Sequence, residues 1–220
     1  MPYIYKIATI NINGISSDNR ILLLSDFLFK HDIDIALLQE VTTTKLTCIR
    51  NYAVLDNIGT EGRGTAILSN PGISLISSAF PPDEALLPVY MEQRLSIYMR
   101  HLVLKEKRTE NASLHKRFCH SYHPIARKQI VAGDFNCILN NSECTGNGCF
   151  SRSLAILVRE MDLYDAWGYI PGNNGYTHYA PKSASRIDRI YLSQMLLQRK
   201  TGIETRVVAC TDHLAAVLRI

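Results

Sequence analysis

Polar residues follow apolar runs at five places in the chain: Asn11-Ile12-Asn13-Gly14, Gln39-Glu40, Gly133-Asp134-Phe135-Asn136, Arg186-Ile187-Asp188 and Thr211-Asp212-His213. Carboxylates, amides and one histidine are what metal-assisted phosphoester hydrolysis requires. Carboxylate oxygens hold Mg²⁺. The ion polarises the phosphate and stabilises the leaving oxygen. A carboxylate activates water, and a histidine or amide stabilises the pentavalent phosphorus. Each cluster alone also has a plainer reading. Glu40 fits a solvated strand end, and Gly133-Asp134-Phe135-Asn136 fits an Asx-type turn. Asn11 to Gly14 fits a hairpin turn. Asp188 fits a surface charge paired with arginine, and Asp212-His213 a hydrogen-bonded structural pair. The five together, in this order along the chain, are far more specific than any one of them.

Strand ends are rigid, so several can present such groups on one rim. Tyr3 to Asn11 alternates as a strand does. Arg20 to His31 carries Ile21, Leu24, Phe27 and Leu28 at helical spacing. Ile33 to Leu38 reads as a buried strand ending on Gln39-Glu40. Gly62-Arg63-Gly64 reads as a turn into a strand from Thr65 to Leu68. Gln129 to Ala132 is a further buried strand, and Ser151 to Met161 a helix with Leu154, Leu157, Val158 and Met161 on one face. Ser185 to Tyr191 and Leu214 to Ile220 read as the last strands. Helices alternate with strands, yet some neighbouring strands look like hairpins. That mixture favours a sheet-on-sheet core with helices outside it.

The 220 residues suit one domain spanning 1–220. With 46% hydrophobic and 20% charged residues, the chain reads as globular and soluble. A net charge of +4 is compatible with a phosphate-bearing partner but does not demand one. No run approaches the roughly 20 apolar residues of a membrane span, and the N-terminus lacks a signal-peptide core. The six cysteines form no CxxC pair, which suits reduced thiols and an intracellular protein. Cys119, His120 and His123 lack the second half of a zinc site.

The clusters resemble the exonuclease-endonuclease-phosphatase superfamily, and within it the endonuclease of LINE-type (non-LTR) retrotransposons. The resemblance runs from Tyr3 to Ile220 and is carried by residues 8–14, 38–40, 63–67, 133–136, 176–178, 185–190 and 211–213. It implies a four-layered α/β sandwich like that of DNase I, with two packed mixed sheets flanked by helices. It also implies Mg²⁺ (or Mn²⁺) as cofactor, with Glu40 as the main ligand and Asp212 as a second. Asn11 and Asn13 would line the metal and phosphate pocket, Asn13 standing where many DNA-repair relatives carry Asp. Asp134 would orient or deprotonate water, and Asn136 would hold a phosphate oxygen. Asp188 would support them, and Asp212 would orient His213, the donor to the scissile phosphate. Thr177 and Tyr176 would lie near double-stranded DNA; the loop from Ile170 to Gly175 reads either as an element that enters a groove or as a plain exposed turn. The implied protein is a nuclear monomer that nicks DNA, with a reverse transcriptase as companion domain; the chain then reads as a fragment or a stand-alone copy. The rival readings are a lipid- or inositol-phosphate phosphatase of the same fold and a catalytically impaired remnant. The phosphatases usually carry Trp and Cys near the late Asp motif, where this chain has Ser185-Arg186-Ile187-Asp188-Arg189.

The resemblance is poor near residues 80–104. Such endonucleases usually show Gly-Arg-Gly-Ile-Ala, then Tyr-Ala-Pro-Ser-Gly, here. Pro82-Asp83-Glu84-Ala85-Leu86-Leu87-Pro88 can be written CCG GAC GAG GCA TTG CTG CCN. Read from the third base, it gives Gly-Arg-Gly-Ile-Ala. With suitable codons, Tyr98 to Leu104 in the same shifted frame gives Tyr-Ala-Pro-Ser-Gly. Residues 81–104 therefore read as a frame-shifted translation of a degenerate copy. Poor local order and weak or absent activity are expected, with Tyr98 a doubtful substitute for the family's tyrosine. The encoding DNA checks this: an alternative frame lacking both motifs refutes it.

Overall fold

The computed structural model describes residues 3–43, 45–58, 63–73, 128–168 and 175–220, together with the backbone of the strands at 75–77, 86–91 and 95–100. One sheet contains β1 (Lys6–Asn11), β2 (Ile35–Val41), β3 (Ala53–Ile58), β4 (Gly64–Ser69), β13 (Gly202–Val207) and β14 (Leu214–Arg219), in the order β13-β14-β1-β2-β4-β3. The other contains β5 (Leu75–Ser77), β6 (Leu86–Met91), β7 (Leu95–Arg100), β8 (Gln129–Asp134), β9 (Leu163–Asp165) and β12 (Asp188–Ser193), in the order β5-β6-β7-β8-β12-β9. β1 runs parallel to β2, and β7 parallel to β8; the other pairs are antiparallel. A short hairpin, β10 (His178–Ala180) with β11 (Ser183–Ser185), forms a separate two-stranded sheet bridged to the entry of β14 at His178 and His213.

Alternation along these strands sorts the apolar side chains into layers. Ile7, Ile35, Leu37, Ile67, Ile130, Ala132, Ile190, Leu192, Ala216 and Leu218 form the core between the sheets. Ala8, Ile10, Ala36, Leu38, Ala66, Leu68, Ala215 and Val217 face the other way, against α1 (Asp18–Lys30). Val131, Phe135 and Tyr191 on the second sheet pack on Leu154 and Leu157 of α2 (Arg152–Glu160). The result is the four-layered sandwich expected. α1 buries Ile21, Leu24, Phe27 and Leu28, the residues that the spacing selects. Ser17 caps it by accepting from the Arg20 N–H at 3.4 Å.

The expected strand from Ser185 to Tyr191 is two strands. Between them the Arg186 N–H leaves the sheet to donate to the Glu143 carbonyl at 2.9 Å. A buried ion network forms behind this bend. Glu143 accepts from Arg186 Nη2 at 3.0 Å and from both terminal nitrogens of Arg189. Asp165 accepts from Arg186 Nη1 at 2.5 Å and from Arg189 Nη1 at 2.9 Å. Leu139 N–H and Asn140 N–H also donate to Glu143, at 2.6 and 3.2 Å.

Leu86–Met91 and Leu95–Arg100 are antiparallel strands within the stretch expected to be poorly ordered; the rest of residues 81–104 lies outside the described residues. Tyr98 stands in register with Val131, three positions before Asp134 on the neighbouring strand. Cys119, His120, His123 and the loop at 170–174 also lie outside them. Among the described residues, Cys48, Cys137, Cys144, Cys149 and Cys210 are free thiols, and no helix is long and apolar enough to cross a membrane.

Candidate active site

Strand parity brings the polar clusters together. Asn11, Gln39, Asp134 and Asp188 continue the inward-facing sets begun by Ile7, Leu37, Ala132 and Ile190, so each meets the rim as its strand leaves the core. Asn11 and Gln39 are register partners on β1 and β2, and Asp134 and Asp188 on β8 and β12. Gln39 goes no further than Thr9, to which its amide donates at 3.1 Å. A β-bulge between Gln39 and Val41 turns Glu40 inward, with φ +56°. Asn11 joins the sheets: its Nδ2 donates to Asp134 Oδ2 at 2.9 Å and to Glu40 Oε1 at 3.2 Å.

Both flanking turns close on these groups. Asn11 Oδ1 accepts from the Asn13 N–H at 2.9 Å, and Asp134 Oδ1 from the Asn136 N–H at 2.7 Å. Such Asx turns fix the carboxylate and amide planes. Asn13 and Asn136 take φ +45° and +49°, a left-handed conformation that asparagine tolerates better than most residues. The last turn is tied to the first strand, since Thr211 Oγ1 donates to the Asn11 carbonyl at 2.7 Å. His213 enters with β14 and sits 2.9 Å from Asp188 through Nδ1.

Asp134 and Asp188 are like charges directly opposite each other in a buried place. Burial, then repulsion from Asp188, pushes the Asp134 carboxyl up to about 7, against the pull of Asn11, the Asn136 N–H and His213. His213 is raised as well, which for a base favours the charged form. Burial lowers it, but the bond and charge of Asp188, with Asp134 and Asp212, raise it from 6.5 to about 9. The ring is therefore a cation at neutral pH, with Nδ1–H donating to Asp188. Asp212 is held below the ordinary range: burial would raise it, but its own backbone N–H, Asn13 and His213 outweigh that.

These shifts give a stability prediction for the metal-free chain. The stabilisation from His213 is fully present below pH 6.5 and is lost as pH rises through about 9. A shift of that size is on the order of 3 kcal/mol. Asp134, an acid with a raised value of about 7, adds a loss of stability between its ordinary value of 3.8 and that pH. The melting temperature in EDTA should therefore fall from pH 6.5 to 9, and His213→Ala should flatten that decline. An equally steep decline in the variant would refute the assignment.

Two expected roles need correction. Asp188, not Asp212, holds the His213 ring; Asp212 instead accepts from Asn13 Nδ2 at 3.2 Å and from Thr211 Oγ1 at 3.4 Å. Thr177, expected beside DNA, is buried, and its Oγ1 accepts from the N–H groups of Ile187 and Asp188 at 3.2 and 3.0 Å. It fixes the start of β12. Asn11, Glu40, Asp134, Asp188 and His213 do converge, Asn136 joins them through its backbone N–H, and Asn13, Asn136 and Asp212 are on the exposed side. Tyr176 lies at the hairpin, its ring 6.4 Å from that of Tyr179. Sequence reading gave no role to Thr211, whose hydroxyl before Asp212 was the available signal, nor to His178, whose ring lies 4.8 Å from that of His213. Arg63, which pairs with Glu40, was also passed over as part of a turn.

The donor set suits a hard divalent cation. Carboxylate and amide oxygens predominate, as Mg²⁺ and Mn²⁺ prefer. Among the described residues Asp188 Oδ1 is buried with no hydrogen-bond partner, so a cation or a water has an acceptor to meet. Asp134, Asp188 and His213 offer ligand atoms within 4.8 Å of one another. Glu40 and Asp212, the ligands expected from sequence, are not in that trio. His213, being a cation paired to Asp188, must lose its proton before it can serve as a ligand.

The same architecture occurs in solved structures. An AP endonuclease from Archaeoglobus fulgidus superposes with a TM-score of 0.76 at 19% identity, covering 97% of this chain and 98% of that one. The endonuclease domain of TRAS1, a telomere-specific non-LTR retrotransposon, gives 0.74 at 16% identity, covering 99% and 98%. The 3'-5' exonuclease NExo from Neisseria meningitidis gives 0.76 at 18%, covering 97% and 98%. At such identities the likeness speaks for the fold. The sequence profile of the Endonuclease/Exonuclease/phosphatase family matches residues 8–213. From the amide bridge of Asn11 to the late histidine, the site lies within that match, and the chain belongs to the endonuclease/exonuclease/phosphatase family.

Proposed function

We propose that the chain is a divalent-metal-dependent DNA endonuclease that nicks one strand, as in target-primed retrotransposition. The observation that carries this reading is the single polar chain from Glu40 through Asn11 to Asp134, beside the Asp188–His213 pair. It supports a reading in which an anionic metal site, a base and a cationic donor share one rim. Glu40 would hold Mg²⁺ or Mn²⁺, with Asp212 across Asn13 as the outer carboxylate. A bound ion supplies charge to the phosphate and the leaving oxygen. Asp134 orients water and accepts its proton; Asn11 restrains its carboxylate. Asn136 holds a phosphate oxygen, and His213 donates to the phosphate from the ring nitrogen that Asp188 leaves free. Asn13 and Tyr176 line the approach of double-stranded DNA. A nuclear monomer, with a reverse transcriptase as companion domain, is the setting that fits this activity.

Incubation of the purified protein with supercoiled plasmid tests the proposal. Nicked circles should form with Mg²⁺ and not with EDTA, and Glu40→Ala should need more Mg²⁺ for the same rate. Inositol polyphosphates are offered in parallel. Phosphate release from them beside intact plasmid would favour the phosphatase reading. Inertness toward both, in a folded protein, would favour an impaired copy and agree with the shifted-frame reading of residues 81–104.

A further inference from the structure

Resting on that function, we infer that Arg63 is the resident countercation of Glu40, giving way to the divalent ion and moving to the DNA phosphate. Glu40 Oε2 is paired with Arg63 Nη1 while Oε1 faces Asn11. The carboxylate side chain is 15% exposed and that of Arg63 58% exposed, so the guanidinium reaches in over it from the solvent side. The placement is built into the strand pair. Arg63 precedes Gly64, the register partner of Val41, immediately beyond the bulge that turns Glu40 inward. Gly64 cannot readily be another residue: a Cβ there would lie 2.0 Å from the Asn57 carbonyl oxygen. β3 is thus able to press close, and Arg63 is set beside the bulge.

The electrostatics explain why a cation is held there. Glu40, Asp134 and Asp188 converge on Asn11 and His213. His213 answers the charge on the Asp188 side, and Arg63 answers it on the Glu40 side. A guanidinium remains charged at any working pH, so this contact is a constant competitor for the carboxylate. A partly exposed ion pair is weak, so a divalent ion can displace it at modest cost. The freed guanidinium then has phosphate oxygens as its natural acceptors, which its fork geometry matches in pairs.

Two measurements on the intact protein test this inference together. Mn²⁺ binding is followed by electron paramagnetic resonance, without DNA. Arg63→Ala and Arg63→Gln should each bind Mn²⁺ about two- to fivefold tighter, the size expected on removing a partly exposed ion-pair competitor; Arg63→Lys should lie between them and wild type. DNA binding is then measured against salt with Ca²⁺ in the site. Both neutral variants should bind more weakly, with the slope of log affinity against log salt reduced by about one. Unchanged or weaker Mn²⁺ binding overturns the inference, and so does an unchanged salt slope. Glu40→Gln separates the two levels. If it leaves Mn²⁺ affinity unchanged, the proposed metal site itself fails; if it weakens Mn²⁺ while the Arg63 variants do nothing, only the inference fails.

Discussion

His213→Ala should slow plasmid nicking by on the order of 10²–10³-fold, the usual loss for one preorganised donor to a developing negative charge. Metal affinity should stay close to wild type, because the ring is a cation paired to Asp188 rather than a free ligand. Asp188→Asn should also slow the reaction. An amide there can hold the ring but cannot sustain its charge, and it alters the ring tautomer. Asp212→Asn should be milder, since Asp212 contacts Asn13 and Thr211 rather than the ring nitrogen. The check is single-turnover nicking at saturating Mg²⁺, paired with Mn²⁺ titration. A His213→Ala protein that nicks normally, or whose defect is only weaker metal binding, would refute the donor role.

Glu143→Ala should destabilise the fold by about 3–5 kcal/mol, the cost of breaking a buried ion pair on one side. Its carboxylate receives Arg186 and Arg189, and the Arg189 side chain is fully buried. Asp165 alone would then face two buried guanidinium groups. Glu143→Gln should cost less, because it can still accept the Leu139 and Asn140 N–H groups. Urea unfolding measures both. A loss below about 1 kcal/mol in the alanine variant would place the network among pairs that contribute little. Arg186 and Arg189 flank Asp188, so the change should also loosen the carboxylate that holds His213.

Apolar periodicity made the framework legible. The four buried positions of α1 were readable because a helix repeats every 3.6 residues. The inward placement of Asn11, Asp134 and Asp188 follows from the strand period of two. Polarity misled at Gln39-Glu40: the strand continues to Val41, because the bulge and the Thr9 contact absorb both polar side chains. Ser185 to Tyr191 hid a bend, since nothing local announces that Arg186 leaves the sheet for a carbonyl 43 positions away. β3 and β13 escaped notice because their faces are only partly buried and their alternation is weak. The site membership was legible in the clusters, but the pairing was not. Adjacency in sequence suggested Asp212 for His213, whereas successive residues on an extended chain point to opposite sides, and the partner came from β12.

The left-handed backbone at Asn13, Glu40 and Asn136 has a consequence for engineering. That conformation costs about 1–2 kcal/mol for most residues other than glycine, and less for asparagine. A glycine at any of the three would relieve part of this cost, offset in turn by a looser unfolded chain. Screening variants for heat resistance alone should therefore enrich glycine at positions 13, 40 and 136 while erasing the groups that meet metal and phosphate. A stabilised variant of this protein should be sought elsewhere on the scaffold, with those three residues held fixed, because there robustness and turnover pull in opposite directions.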